Sequence, residues 1–339
     1  MNRYGSALAS TGRWIASGDR RATASLNRVL AGAALAAFLV TAASFLARAS
    51  WLLELLTHFR FQLALGSMVL LLCALARRRL LTAALAALAA AANAAPLMPF
   101  LLAGPASAEA AGHPLRLMAA NVHYRNFDYA ALLEEVRRQH PDVLGLMEVD
   151  QEWLDGLSAL ESEFRWTVLR PLEGPYGLAL YSKLPFQRLP GSPYIEDGFQ
   201  TAVAVELATG EAPITLVLAH VRAPASPAKA ELRNTQFVAL GKMLAADDNA
   251  AKILMGDLNT TPWSPYYRQL ASATDMRNAA LGRGYLPTWP AGFSLLKIPI
   301  DHCLVSDALR VSNFRTGADV GSDHLPIVVD LSISGEPAL

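Results

Sequence analysis

The sequence predicts an α/β domain built of packed mixed sheets, preceded by three transmembrane helices. Two textures along the chain carry that prediction, together with a division of charge between them. The chain has 339 residues, 53% hydrophobic and 17% charged, against roughly 25% charged in average globular chains. Residues 1–112 hold ten Arg and no Lys against Asp19, Glu54 and Glu109, a balance of +7. Residues 113–339 hold the other 19 basic and 26 acidic residues, a balance of −7. Two unlike halves exclude a disordered chain and a uniformly soluble globule, and two Cys exclude a disulfide scaffold. Cys73 lies in an apolar run and Cys303 in a predicted strand, so each reads as a small core residue.

The first third divides into a segment 1–28, three spans within 29–103, and a linker 104–112. The charge-free runs are Val29–Ala47, Phe61–Ala76 and Leu80–Ala103. About 20 apolar residues cross the hydrocarbon of a bilayer, which the first and third runs supply directly. The middle run is short and needs Arg60 to snorkel, with Trp51 and Phe59 at the interface. Ala106-Ser107-Ala108 has the small-residue form of a signal-peptidase site, but three apolar runs fit an anchor better than a cleavable signal. Arg3, Arg13, Arg20, Arg21 and Arg28 precede the first run, and Arg77-Arg78-Arg79 separates the second from the third. The link between the first and second runs holds only Arg48 and Arg60. Positive residues stay cytoplasmic. This puts the N-terminus inside, the first link outside and everything after Ala103 outside, in a multi-pass protein of the inner (plasma) membrane.

From Leu115 onward the runs are short and β-like: Leu115–Asn121, Val143–Val149, Trp166–Arg170, Gly177–Tyr181, Thr201–Leu207, Ile214–Val221, Lys252–Asn259, Ile300–Ser306 and His324–Ser332. Helical patterns lie between some of them. Asp128 caps Asp128–Gln139, and Pro227 sits in the favoured first turn of Pro227–Ala246. Other strands follow one another with no helix between, as around Gly210. Such a mixture implies antiparallel pairing and packed sheets rather than a doubly wound parallel sheet.

The chemistry sits at the strand ends. Four apolar runs finish on polar groups: Asn121, Glu148, His220, and the pair Asp257 and Asn259. Asp301 opens a further strand, and Asp323-His324 precedes the last one. A buried carboxylate is costly unless paired or metal-bound, so six such strand ends argue for convergence on one site. Carboxylate and amide oxygens with few His suit a hard cation, Mg²⁺ or Mn²⁺. There is no zinc-type His or Cys cluster, no Gly-x-Ser-x-Gly elbow and no phosphate-binding glycine loop. Metal-assisted attack of water on phosphorus is the reaction these groups suit.

Asn121, Glu148, His220, Gly-Asp257-Leu-Asn259-Thr, Pro287-Thr288-Trp289, Ile300-Asp301-His302 and Ser322-Asp323-His324-Leu-Pro326 come in an order and spacing that resembles the endonuclease/exonuclease/phosphatase superfamily. The resemblance covers about residues 113–334. Its layout of membrane helices ahead of the domain is similar to the teicoplanin-resistance-associated, membrane-anchored branch. The resemblance implies a four-layer α/β sandwich of two packed mixed sheets. It also implies roles. Glu148 holds the metal, supported by Asn121 and Asp323. Asp257 orients or deprotonates the attacking water, and Asn259 holds a phosphate oxygen. His324 contacts the phosphate, Asp301 fixes the His324 tautomer, and His220 is a second phosphate donor.

Neighbouring residues take plainer readings. Asp142 reads as a turn acid, and His113 and His140 as loop residues. His302 points away from the site because side chains alternate along a strand. His123 and Tyr124 are candidates to line the cleft. Trp289 reads as packing, and Arg222 as either a phosphate contact or a surface residue. Three functions stay open. The first is a membrane-tethered phosphatase or phosphodiesterase working at the lipid bilayer on a phosphorylated substrate, with a lipid-linked pyrophosphate as candidate. The second is an extracytoplasmic nuclease, disfavoured because a domain balance of −7 lacks the cationic surplus of nucleic-acid binding. The third is a non-catalytic membrane scaffold.

Overall fold

The computed structural model describes residues 5–102, 115–189, 202–210 and 212–333, with side chains from residue 21 onward. The predicted linker 104–112, the Ala106-Ser107-Ala108 triplet, His113 and Arg3 lie outside the described residues. The chain divides into two compact units, Met1–Leu46 with Phe59–Pro96, and Ala47–His58 with Leu97–Leu339.

The first unit packs α1 (Gly5–Ser44), α3 (Arg60–Ala76) and α4 (Leu80–Ala94) against one another. The stretches Arg21–Ser44, Trp51–Ala76 and Leu80–Leu101 are long and apolar enough to cross a membrane. Ala34, Ala74, Ala86 and Ala89 are fully buried between helices, and such small residues let helix backbones approach closely. Arg60 does not snorkel. It is buried, donates to Asn93 Oδ1 at 3.1 Å and lies over the Phe45 ring, while Asn93 Nδ2 donates to Thr41 Oγ1 at 2.7 Å. An internal acceptor holds the guanidinium in place of the interface.

The second unit is the α/β domain. One sheet has strand order β11-β12-β1-β2-β4-β3, and the other β5-β6-β7-β8-β10-β9. The first comprises β1 (Leu115–Asn121), β2 (Val143–Met147), β3 (Trp166–Arg170), β4 (Leu178–Ser182), β11 (Leu309–Thr316) and β12 (Ile327–Ile333). The second comprises β5 (Phe186–Arg188), β6 (Ala202–Leu207), β7 (Ile214–Ala219), β8 (Ala251–Asp257), β9 (Arg277–Asn278) and β10 (Asp301–Val305). Among the described residues only β1–β2 and β7–β8 pair in parallel, so both sheets are mixed. Leu117, Met147 and Leu180 from one sheet meet Val205, Leu218 and Met255 from the other in a shared core. The outer face of the first sheet packs on α6 (Tyr129–Gln139) and α7 (Gln151–Gly156). That of the second packs on α8 (Pro227–Ala245) and α9 (Pro265–Thr274). Helix, sheet, sheet, helix makes four layers.

Several elements differ from the sequence reading. Helices α7 and α9 and strands β5, β9 and β11 add to the elements the sequence predicts; α7, β5 and β9 are 6, 3 and 2 residues long, too short to show a period. The last strand begins at Ile327 rather than His324, because residues 322–326 form a loop ending in Pro326, which has no N–H for a ladder.

The link between the first two apolar runs carries structure of its own. Residues 47–58 cluster with the second unit. There α2 (Trp51–Leu55) is followed by a 3₁₀ turn. Glu54 is buried and ion-paired with Arg233 of α8, itself fully buried, and accepts from Ser264 Oγ at 2.6 Å. His58 Nδ1 lies 3.0 Å from Thr261 Oγ1. The cause is electrostatic: a guanidinium with no access to water needs a fixed counter-charge, and Glu54 is it. Removing one member of a buried pair strands the other, at about 3–5 kcal/mol, whereas apolar replacement of both is far milder. Chemical unfolding of the full chain in detergent is therefore expected to show Glu54→Ala destabilised by about that amount. A Glu54→Leu/Arg233→Met double variant is expected to lose clearly less.

Candidate active site

Strand direction brings the polar ends together. Parallel pairing aligns Asn121 of β1 with Met147, so Glu148, the next residue, emerges beside it. In the second sheet β7 runs parallel to β8, which puts His220 and Asp257 at one edge, and antiparallel β10 starts with Asp301 opposite Asp257. Strand β12 runs antiparallel to β1, so residues 322–326 return to the Asn121 end. Six strand ends thus meet on one rim between the sheets.

Contacts there are short and dense. Asn121 Nδ2 donates to Glu148 Oε1 at 3.0 Å and to Asp257 Oδ2 at 3.1 Å, joining one carboxylate from each sheet. Glu148 Oε2 also accepts from Tyr124 N at 3.2 Å. Asp301 Oδ2 lies 2.8 Å from His324 Nδ1, and His324 Nε2 lies 3.8 Å from Asp257 Oδ2. His220 Nε2 is 3.5 Å from the same Asp257 oxygen and 3.9 Å from Glu148 Oε1. Ser322 Oγ donates to the Asn121 carbonyl and accepts from His324 N, which locks the loop holding His324. A cavity of about 320 Å³ opens over Glu148, His220, Asp257, Asn259, Asp323 and His324. Asp301 stands behind His324.

Burial sets the electrostatics. It pushes the Asp257 carboxyl up to about 8, with the Asp301 charge adding to the rise and His324 opposing it. Burial disfavours the His324 imidazolium, but the Asp301 and Asp257 carboxylates outweigh it and hold that group at about 10. His220 is lowered, chiefly by desolvation, against the pull of Glu148. His220 and His324, both lining the cavity, are therefore biased in opposite directions.

The backbone is strained where the chemistry is. Among the described residues six non-glycine positions have positive φ. His140 and Asp275 end helices in the left-handed form, and Arg78 follows α3 in a turn. The other three are His123, Glu148 and Asn259, at φ 56°, 66° and 46°. Such conformations cost about 1–3 kcal/mol each and persist where surrounding structure over-determines them. Gly256 is at φ 131°, and a Cβ there would sit 2.1 Å from the Ala219 carbonyl oxygen, so no other residue fits before Asp257.

Some single assignments change. Asn259 Nδ2 is turned inward, to Val221 O at 2.9 Å and Asp257 Oδ2 at 3.2 Å, and Asn259 N donates to Asp257 Oδ1 at 2.8 Å. In this geometry it orients Asp257. Trp289 is not mere packing: it lines the cavity and its indole N–H donates to Asp323 Oδ2 at 3.0 Å. Arg222 also lines the cavity, as do His123 and Tyr124. His302 faces away, its Nε2 lying 2.7 Å from Thr260 O. Cys73 is exposed rather than packed, and Cys303 is buried. Sequence reasoning missed Tyr176, Lys229 and Gln236, which line the same cavity from loop and helix positions without motif.

The donors suit a divalent cation. Glu148, Asp257 and Asp323 have no Lys or Arg ion pair among the described residues, only imidazoles. His123 Nδ1 lies 3.5 Å from Glu148 Oε2 and 3.6 Å from Asp323 Oδ1, so one imidazole nitrogen stands near both carboxylates. Asn121 Oδ1 adds an amide oxygen beside them, accepting from His123 N. This oxygen set fits a hard cation. Asp257, Asp301 and His324 also offer ligand atoms within 4.8 Å of one another, but the Asp301–His324 hydrogen bond already occupies two of them.

Comparison with known proteins agrees with this architecture. The solved structures it is similar to include an endonuclease/exonuclease/phosphatase from Beutenbergia cavernae, at 21% identity and TM-score 0.51, covering 67% of this chain and 74% of that one. The human Nocturnin catalytic domain with bound sulfate is 21% identical, TM-score 0.52, over 65% and 95%. A 3′ phosphatase from Neisseria bound to a product DNA hairpin is 18% identical, TM-score 0.53, over 65% and 100%. At these identities the likeness is one of fold. No curated protein matches the sequence. The Endonuclease/Exonuclease/phosphatase family matches residues 118–324, more than half of the chain and the segment from β1 to His324, and the chain belongs to that family.

Proposed function

We propose that this chain is a membrane-anchored phosphoesterase that depends on a divalent metal, Mg²⁺ or Mn²⁺, and hydrolyses a phosphorylated, lipid-borne substrate outside the cytoplasm. The observation that carries the reaction class is the meeting of Asn121, Glu148, Asp257 and His324, with Asp301 behind, on one rim. The distribution of arginines supports the sidedness. The lipid-borne substrate draws on the surface around the mouth. The loop carrying His123 and Tyr124 exposes Phe127, the loop carrying Pro175 and Tyr176 exposes Leu172, and the loop after Trp289 exposes Phe293, Leu295 and Leu296. Large apolar side chains left in water around one opening suit acyl chains.

Glu148, Asp323 and Asn121 Oδ1 would hold the cation. When bound, the metal supplies charge neutralisation at the phosphoryl oxygens. Asp257 accepts a proton from the attacking water. Asn121 and Asn259 hold that carboxylate in one orientation. His324 presents an imidazolium whose Nε2 proton meets a phosphoryl oxygen as negative charge builds there. Asp301 keeps the Nδ1 proton between itself and His324, so Nε2 is the end that faces substrate. His220 offers a second imidazole to the same oxygens.

The full chain in detergent, supplied with Mg²⁺, can be assayed on a phospholipid-type ester, a soluble phosphodiester and plasmid DNA. Hydrolysis of the lipid-type ester, lost in Glu148→Gln and on chelation and restored by added Mg²⁺, is the expected result. Cleavage of DNA alone would make it a nuclease, and inactivity on everything would make it a scaffold. Asp301→Asn is expected to lower kcat by about 10²–10⁴-fold, with the thermal midpoint little changed. Unimpaired turnover in that variant would remove His324 from the mechanism.

A further inference from the structure

The groups assigned above account for one phosphoryl centre, and the same cavity is also lined by Arg222 and Lys229, two cations in a domain whose overall balance is negative. Arg222 is held in place. Its backbone N–H donates to Gln236 Oε1 at 2.6 Å, and Gln236 is almost fully buried on α8. Its guanidinium donates to the Tyr176 hydroxyl at 2.6 Å and lies over the Tyr176 ring at 4.6 Å. A guanidinium presents five donors in a planar fork that matches phosphate oxygens. Lys229 stands in the first turn of α8, exposed, and its ammonium forms no ion pair among the described residues.

Resting on the phosphoesterase reading, we propose that Arg222, Lys229 and the Tyr176 hydroxyl form a second anion subsite. Its ligand is a phosphate-class group on the substrate beside the one cleaved, so that a diphosphate or bis-phosphorylated ester is preferred over a monophosphate. Neither cation makes a hydrogen bond or ion pair with Glu148, Asp257 or His324 among the described residues. The cavity, at about 320 Å³, lies in the range that takes a small ligand rather than a single phosphoryl group. The same anion can come from a soluble ester or from a lipid headgroup.

The test uses the full chain in nanodiscs with Mg²⁺ and two matched alkyl esters, monophosphate and diphosphate. Each is supplied as a short-chain soluble form and as a long-chain form in the bilayer. Wild type is expected to favour the diphosphate by about tenfold or more in kcat/KM, the effect of one charge-assisted contact. Arg222→Gln and Lys229→Gln are each expected to shrink the diphosphate-to-monophosphate ratio, and the double variant to bring it near one. The arm with the larger kcat/KM tells whether the anion arrives in solution or in the membrane. No diphosphate preference in wild type, or equal losses on both esters that leave the ratio unchanged, overturns the subsite while leaving the phosphoesterase reading intact. No hydrolysis of any ester overturns that reading and the subsite with it.

Discussion

The amide of Asn121 is the join on which the site depends. Its one nitrogen donates to Glu148 in the first sheet and to Asp257 in the second. Two buried carboxylates brought this close repel each other unless a donor or a cation stands between them. Away from the rim the sheets meet through a core of apolar side chains, which set their spacing but say little about the direction of any polar group. An amide nitrogen with one N–H for each carboxylate converts that loose registration into a fixed distance between the proposed metal-holding carboxylate and the proposed base. Ser322 then ties the His324 loop to the carbonyl of the same residue, so a third segment is indexed to one position.

Strain and burial follow from this arrangement. Glu148 and Asn259 take left-handed backbone conformations directly after strand ends, which turns their side chains toward the rim and away from the sheet faces. Gly256 is squeezed against the Ala219 carbonyl so that Asp257 can sit at the bottom of the cavity. Burial there disfavours charge on Asp257 and His220, while Asp301 preserves it on His324. One environment thus gives three groups different affinities for a proton, the condition for dividing acid, base and electrostatic work among them.

Much of this was legible in the sequence, because a polar residue that abruptly ends an apolar run marks a strand end facing something other than a core. Asn121, Glu148, His220 and Asp257 show that pattern, while Asp301 opens a strand and His324 precedes one. What stayed hidden had no periodicity to betray it. Tyr176 and Lys229 come from a loop and a helix start, and the indole contact of Trp289 depends on where Asp323 falls. The role of residues 47–58 was hidden for another reason. Glu54 reads as one acid near a membrane span, and its partner Arg233 lies 179 residues away in the chain. Only the fold shows that the two are buried together.

The central claim is that this rim gathers oxygen donors around a hard cation. Titrating the full chain with Mn²⁺ and following the free ion by electron paramagnetic resonance tests it most directly. The account predicts one tightly held Mn²⁺ per chain, displaced by Mg²⁺ and lost in Glu148→Gln while Arg222→Gln retains it. Undiminished binding in Glu148→Gln, or no stoichiometric binding in the wild-type chain, would contradict it.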